Sequence, residues 1–327
     1  MPQRTEGHNM TRLEIIEILK GKGIKHAFDA AGFPSGPAVG KLRLAELIEQ
    51  FEKVSDREKI WKPHYSYSAV NQYQKCPMQY YFCHELKLSI PPPGIVIQGS
   101  AFDDAANHNY TEKLTSGQDE PLSVLQDVFM ESLKERKDGA DWTDQKFNFK
   151  DIQTQGLQIV DLFRNYLSPK TIPLEVQKAY RIDFGERNYE FIGYADLIAD
   201  SEYADRRSGA MIIDHKVTGR MPSEDWVRLH PQLDAYAACY AVENGKEPLV
   251  AIDALVRGKK APDAARIFAV RTPETSRRWW NTVHAVAKAI EAGIFFPTPK
   301  IIGGQTNWVC TPAYCGYWQR CHEQFDA

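Results

Sequence analysis

The sequence predicts an α/β fold in which helices fill the first half and a mixed sheet with helices follows. Three observations predict it. Residues 65 to 166 repeat apolar positions at helical spacing. Residues 175 to 200 alternate between apolar and polar side chains and contain a turn between Gly185 and Asn188, as in a hairpin. The remaining segments follow the order strand, helix, strand, strand, helix, which indicates a mixed sheet with helices on its faces.

Composition excludes several classes of protein. The 327 residues are 43% hydrophobic and 25% charged, which excludes disorder, collagen and coiled coil. Forty basic and 43 acidic residues give a net charge of -3, so any nucleic-acid site must be a local patch. No apolar run nears the ~20 residues that span a bilayer, and the start resembles no secretory signal. With only six cysteines, we expect no disulfide scaffold, no membrane partner and a reducing cytoplasm.

The first half divides near Lys62. Residues 11–27 and 41–51 predict two short helices around a Gly, Ala and Pro loop, and residues 55–64 have the charge of a linker. We therefore expect a small helical module at 1–62 and a main domain at 63–327. In that domain one helix should begin at Ser66 or Ser68, and another should open at Gly99 and Ser100.

The second half supplies the predicted sheet. After the hairpin, residues 210–218 are rich in β-branched side chains and end in a threonine-glycine turn, which predicts a short strand. Residues 230–244 predict a helix, 249–258 and 266–272 predict strands, and 273–294 predict the last long helix.

Two neighbouring strands carry the residues of a candidate cation site. Asp214 and Lys216 are two positions apart on one strand, so their side chains share a face and His215 points to the other. Asp196 follows Gly193 on the hairpin, and strand pairing would bring the two carboxylates to one cation. Such oxygen ligands suit Mg²⁺ or Mn²⁺. Lys216 would then orient or help deprotonate the attacking water and offset charge on the phosphate.

Gly193-x-x-Asp196 followed by Asp214-x-Lys216 resembles the active-site pattern of the PD-(D/E)XK nucleases. Gln232 and Tyr236, four positions apart on one helix face, resemble the Gln-x-x-x-Tyr element of the RecB-like branch, in which they position the lysine or the DNA backbone. The segment from Tyr73 to Tyr80 matches its Tyr-x-x-Cys-Pro-x-x-Tyr helix. The resemblance covers residues 65 to 321 and implies a restriction-endonuclease-like core, a mixed central sheet flanked by helices.

The function implied by this resemblance is metal-dependent cleavage of DNA, as an exonuclease in phage or bacterial recombination or repair. An annealing protein or a helicase would be the expected partner. The branch has a histidine metal ligand at the end of a Gly-x-x-x-His element, where this chain has Gly99 and Asp103. We expect Asp103 to be the third ligand, which favours Mg²⁺. His108 is a poor substitute, because five helical positions turn it roughly 140° away.

Four cysteines form a second pattern. Cys76 lies far upstream, and Cys310, Cys315 and Cys321 lie close together near the C-terminus. The arrangement resembles the iron–sulfur staple of the AddB-like and CRISPR-adaptation branches, which implies a [4Fe–4S] cluster. Such a cluster would hold the shape of a C-terminal loop that we expect to lack secondary structure. A Cys₄ zinc site fits almost as well, and separate buried thiols are the third alternative. Cys239 is expected in the core.

DNA contact requires local basic residues. The candidates are Arg220, Arg228, Lys259, Lys260, Arg277 and Arg278. The last two precede Trp279 and Trp280, a combination that suits single strands, although solvated helix starts and core tryptophans have the same pattern. The alternative function is a non-catalytic nucleic-acid-binding or assembly protein that retains the fold, which Asp103 favours. A purely structural zinc protein would leave the Asp/Lys pair unexplained.

Overall fold

The computed structural model describes residues 16–17, 62–143, 147–201, 209–258 and 263–325. The predicted N-terminal helices lie almost entirely outside these ranges, and Lys259 and Lys260 lie outside them altogether. The domain boundary near Lys62 therefore stays a prediction.

The described helices follow the predicted order. They are α1 Tyr67–Lys75, α2 Pro77–Tyr80, α3 Gly94–Ser116, α4 Leu122–Arg136, α5 Phe149–Leu162, α6 Glu224–Arg228, α7 Pro231–Asn244, α8 Pro273–Glu291 and α9 Trp318–Phe325. Short π-helical segments extend α2 over Tyr81–Glu85 and α5 over Phe163–Leu167. None of these helices combines the length and the apolar character that crossing a bilayer requires.

The strands of the described residues form one mixed sheet of six and a separate short pair. They are β1 His64–Ser66, β2 Pro173–Asp183, β3 Glu190–Ala199, β4 Met211–Thr218, β5 Leu249–Val256, β6 Asp263–Val270, β7 Ile301–Ile302 and β8 Gln305–Thr306. The main sheet has the order β1-β3-β4-β5-β6, and β2 also pairs with β3. Strands β4 and β5 are parallel, whereas β3 with β4 and β5 with β6 are antiparallel. The predicted α/β class with a mixed central sheet is confirmed.

The two faces of the sheet carry different helices. Odd-numbered residues of β4, such as Ile213, join a buried apolar core with α3, α4 and α5. Helix α7 contacts β4 and β5, and α8 packs on α7. Because successive side chains of a strand point to opposite faces, Asp214 and Lys216 point away from the α3 core.

Three local predictions were wrong. The helix expected from Ser66 breaks at Cys76, which is extended with φ -160° and ψ 107°, because a residue that precedes proline is excluded from helical geometry. Helix α3 begins at Gly94, five residues before the predicted start. Cys321 lies on helix α9, in a C-terminal segment that was expected to lack secondary structure.

The chain divides into two compact units. One comprises Met1–His64 and Ala179–Ile192, and the other comprises Tyr65–Lys178 and Gly193–Ala327. Every described residue of the predicted cation site and of the four-cysteine pattern belongs to the second unit.

Candidate active site

The candidate site lies where β3 separates from β4. The paired residues of β3 and β4 run from Ala199 opposite Met211 to Leu197 opposite Ile213, while β4 stays paired with β5 up to Thr218. At the point of separation the Asp196 carboxylate takes the place of a strand partner, since its Oδ2 accepts the backbone N–H of His215 at 3.0 Å. Beyond Ile213, the Asp-x-Lys segment of β4 therefore has no paired residue on β3.

Asp214 and Lys216 form a buried ion pair on the predicted face of β4. The Lys216 Nζ lies 2.7 Å from Asp214 Oδ2, and the two side chains are 29% and 1% exposed. Burial raises the pKa of Asp214 to about 6, although the charge of Lys216 lowers it. Burial lowers the pKa of Lys216, but Asp214 and Asp196 outweigh that effect and raise it above its ordinary value. Lys216 is therefore a cation at neutral pH.

Asp103 approaches the gap from α3. Single ligand atoms of Asp103, Asp196 and His215 all lie within 4.8 Å of one another. Burial raises the pKa of Asp103 well above its ordinary value, and the neighbouring Asp196 raises it further. Burial likewise raises the pKa of Asp196. Three carboxyl groups thus surround one lysine, and their raised pKa values mean that they favour the binding of protons or of a further cation.

His215 is a residue whose environment the sequence did not reveal. Its ring stacks on Tyr110 with centroids 5.9 Å apart, and the rings of Phe102 and Phe163 meet it edge-on. Its Nε2 lies 4.0 Å from Asp253 and its Nδ1 lies 3.9 Å from Asp196. Burial lowers the pKa of His215. The only sequence signal was its alternation with Asp214 and Lys216, which gave the face but not these neighbours.

Gln232 and Tyr236 face the site from α7. The Gln232 side-chain amide donates to the Tyr236 hydroxyl at 3.1 Å. Burial raises the pKa of Tyr236, and the charges of Asp214 and Asp196 act in the same direction. The tyrosine therefore stays protonated beside the two aspartates.

Three further residues near the site were missed by sequence reasoning. Gln177 donates through Nε2 to the Asn107 side-chain oxygen at 3.2 Å and lowers the pKa of Asp196 against the effect of burial, and its φ of 49° is unusual for a residue other than glycine. Burial raises the pKa of Tyr67 to about 12, and the charge of Lys216 acts on the same phenol. Burial lowers the pKa of His230 to about 4, and Lys216 lowers it further. No motif in the sequence signals these positions.

The comparison with family models decides the affiliation. Residues 64–322 match the model of the PD-(D/E)XK nuclease superfamily. The chain belongs to this superfamily. A search of curated proteins finds no match.

Solved structures resemble this PD-(D/E)XK chain at low sequence identity. One is a candidate exonuclease from Eubacterium rectale, with a TM-score of 0.48 and 12% identity, covering 76% of this chain and 88% of its own. Another is the protein SSO0001, with a TM-score of 0.33 and 16% identity, covering 84% of this chain and 94% of its own.

A divalent cation fits the donor set of this PD-(D/E)XK site. Asp214 Oδ1 is buried and has no hydrogen-bond partner among the residues that the structure describes. A buried carboxylate oxygen without a donor is costly, and the excess of carboxylates over lysine calls for a further positive charge. Hard divalent cations prefer such oxygen ligands.

The four predicted cysteines line one cavity. Its volume is about 340 Å³, and its walls include Cys76, Cys310, Cys315 and Cys321. The Thr298 backbone N–H donates to Cys76 Sγ at 3.4 Å. Cys83 is not among the lining residues, and it is one of the groups that raise the pKa of Tyr317, although burial is the larger cause. As expected, Cys239 is buried in α7.

The described basic candidates for DNA contact differ in their surroundings. Arg220, Arg277 and Arg278 are exposed. Arg228 pairs with Asp225 at 3.1 Å on the surface. Trp279 is only 4% exposed, so it belongs to the core, and the predicted stacking surface beside Arg277 and Arg278 loses that ring.

Proposed function

We propose that this chain is a divalent-cation-dependent deoxyribonuclease that removes nucleotides from DNA ends. The observation that carries the proposal is the Asp214–Lys216 pair, 2.7 Å apart, beside Asp103 and Asp196 in the gap between β3 and β4. A carboxylate-rich cleft with one fixed cation suits hydrolysis of a phosphodiester, in which water adds to phosphorus and the bond to the sugar oxygen breaks.

Asp103 and Asp196 would hold the cation, Mg²⁺ or Mn²⁺, together with His215, whose ligand atom lies within 4.8 Å of theirs, or with the predicted ligand Asp214, whose buried Oδ1 has no hydrogen-bond partner among the described residues. When bound, the cation would offset the charge of the phosphate and lower the pKa of a water molecule. Neither ion can be preferred from carboxylates alone, since both take hard oxygen ligands.

Lys216 would act as a fixed positive charge. Its raised pKa argues against the alternative that it deprotonates the water, because an ammonium has no acceptor. A donor held by Asp214 in a largely water-excluded cleft stabilises the charge that develops on the phosphate oxygens. Losing one such donor typically costs 10²- to 10³-fold in rate.

Tyr236 would complete the wall of the site. Its hydroxyl oxygen accepts from Gln232, which leaves the hydroxyl proton available to the substrate. Of the two roles expected for Gln232 and Tyr236, this favours positioning of the DNA backbone over positioning of the lysine.

Cleavage assays test the proposal. Linear duplex, circular duplex and single-stranded DNA are incubated with Mg²⁺ or Mn²⁺ and with wild type, Lys216→Ala or Lys150→Ala. Lys150 is an exposed lysine of α5, so Lys150→Ala is the matched control. We expect wild type and control to degrade linear DNA and Lys216→Ala to lose at least 100-fold in rate. Cleavage of circles would contradict the exonuclease assignment. Absence of cleavage with either ion would favour the non-catalytic alternative, and equal rates for Lys216→Ala would contradict the site.

We further propose that the four cysteines bind an iron–sulfur cluster. In a Cys₄ zinc site, bonds of ~2.3 Å place the sulfurs about 3.8 Å apart. Among the described residues, the single set of three ligand atoms mutually within 4.8 Å is the one at the active site, so no three of these sulfurs are that close. A cavity of about 340 Å³ favours a multi-atom cluster over one ion.

The setting we propose follows the RecB-like resemblance. It is DNA recombination or repair in a bacterial or phage-infected cytoplasm, next to an annealing protein or a helicase.

A further inference from the structure

A second cavity begins where the catalytic strand ends. It has a volume of about 580 Å³ and is lined by Thr218, Gly219, Arg220, Met221, Pro222, Ser223 and Trp226. Pockets of this size hold small organic ligands. Its residues have no part in the Asp/Lys site described above.

The cavity adjoins Lys216 on the same face of the sheet. Thr218 is two positions beyond Lys216 on β4, which places it about 6.6 Å further along the strand on the same face. His230, whose ring centroid lies 4.3 Å from that of Trp226, experiences the charge of Lys216. A ligand in the cavity would therefore lie next to the phosphate that Lys216 is proposed to contact, about 6.6 Å further along β4.

Trp226 forms a fixed aromatic wall. Its backbone N–H is capped by the Ser223 hydroxyl at 3.1 Å, and His230 supports its ring. The side chain is nevertheless 44% exposed. A large ring that is held in place while solvent covers part of it is suited to stacking on a planar ligand.

Arg220 supplies a positive charge at the same cavity. The Thr218 hydroxyl donates to the Arg220 carbonyl at 2.8 Å and so fixes the backbone. The Arg220 side chain is exposed, and no carboxylate of the described residues pairs with it. The cavity therefore combines a stacking surface with a free cation, the two groups that recognise a nucleotide of a single strand.

We propose that this cavity binds one nucleotide of single-stranded DNA, with its base on Trp226 and its phosphate near Arg220, directly beside the cleavage site. The inference rests on the proposed nuclease function and names its substrate class. A base inside a duplex is stacked on both faces and cannot reach Trp226, so the site selects single strands or unpaired ends.

The test is a series of 12-nucleotide single strands, each with one abasic residue, bound in EDTA so that no cleavage occurs. Affinities from fluorescence anisotropy are compared for wild type, Trp226→Ala and Trp308→Ala. Trp308 is another exposed tryptophan, 58% exposed, and serves as the control. We expect Trp226→Ala to weaken binding of the intact strand by about 5- to 150-fold, the effect of losing one stacked base. Trp226→Phe should recover most of that loss.

The abasic series distinguishes stacking from misfolding. At one position of the strand, base removal should weaken binding to wild type and leave binding to Trp226→Ala unchanged. Equal losses for both proteins at every position, or equal weakening of duplex binding by Trp226→Ala, would overturn the proposal. If the position-specific effect is found but wild type cleaves no DNA, the nucleotide site stands and the nuclease assignment falls. If wild type cleaves DNA but the position-specific effect is not found, the nuclease assignment stands and the nucleotide site is wrong.

Discussion

Replacing Asp214 by asparagine should remove a pH-dependent loss of stability from the cation-free protein. The carboxyl ionises near 3.8 in the unfolded chain and near 6 in the folded one, because burial raises its pKa. Between these values the folded state binds more protons than the unfolded state. Raising the pH through this window therefore lowers the free energy of unfolding.

The magnitude follows from the shift. A change of roughly two pKa units, at 1.36 kcal/mol per unit, corresponds to roughly 3 kcal/mol lost by wild type above pH 6. Asparagine is neutral at every pH and escapes this loss. The stability of Asp214→Asn relative to wild type should thus rise by roughly 3 kcal/mol between pH 3.5 and pH 8.

Urea unfolding in EDTA across this pH range measures the difference. Asp127→Asn, at an exposed position of α4, is the matched control, and its stability relative to wild type should not follow the same curve. Adding Mg²⁺ at pH 8 should stabilise wild type, by about 2.7 kcal/mol at 100 times the dissociation constant, and should not stabilise Asp214→Asn to that extent. A pH-independent difference between wild type and Asp214→Asn would refute the reasoning.

Two further substitutions, each with a matched control, test the packing and the cysteine cavity. Gly156→Ala places a Cβ 1.9 Å from Phe129 Cζ, so overpacking should cost about 1–3 kcal/mol in urea unfolding. Gly99→Ala, whose Cβ meets nothing within 4 Å, should be neutral or stabilising; equal losses would contradict the packing. Cys310→Ser should abolish iron in anaerobically purified protein and lower the melting temperature, whereas Cys83→Ser should keep the iron. Wild type without iron or zinc would refute the metal staple.

Much of the fold was predictable because it depends on short-range patterns. The alternation around Asp196 and Asp214 gave two strands, and the four-residue spacing of Gln232 and Tyr236 gave one helix face. These periods follow from backbone geometry alone. The break at Cys76 was also encoded locally, in the proline that follows, but the apolar spacing suggested a continuous helix.

The separation of β3 from β4 was not predictable from the sequence. Strand pairing was expected to bring the carboxylates of Asp196 and Asp214 within reach of one cation. Instead, the backbone pairing of β3 with β4 stops at Asp196. There the Asp196 carboxylate, in place of a backbone carbonyl, accepts the hydrogen bond from the His215 backbone N–H. Glycine and aspartate are uncommon in strands, but neither residue specifies that a side-chain carboxylate will replace a backbone acceptor.

The residues that support the chemistry come from distant parts of the chain, which explains why sequence reasoning missed them. The alternation of side chains along a strand predicted that His215 would point away from the Asp214 face. The structure agrees, and the His215 ring packs in an aromatic box, the rings of Tyr110, Phe102 and Phe163. That box anchors the middle residue of the Asp-x-Lys segment in the α3 core. His215 thus holds the backbone between Asp214 and Lys216 from the opposite face of the sheet. The distance between the Asp214 carboxylate and the Lys216 ammonium is therefore fixed before any substrate binds. Preorganised charge of this kind is what electrostatic catalysis requires.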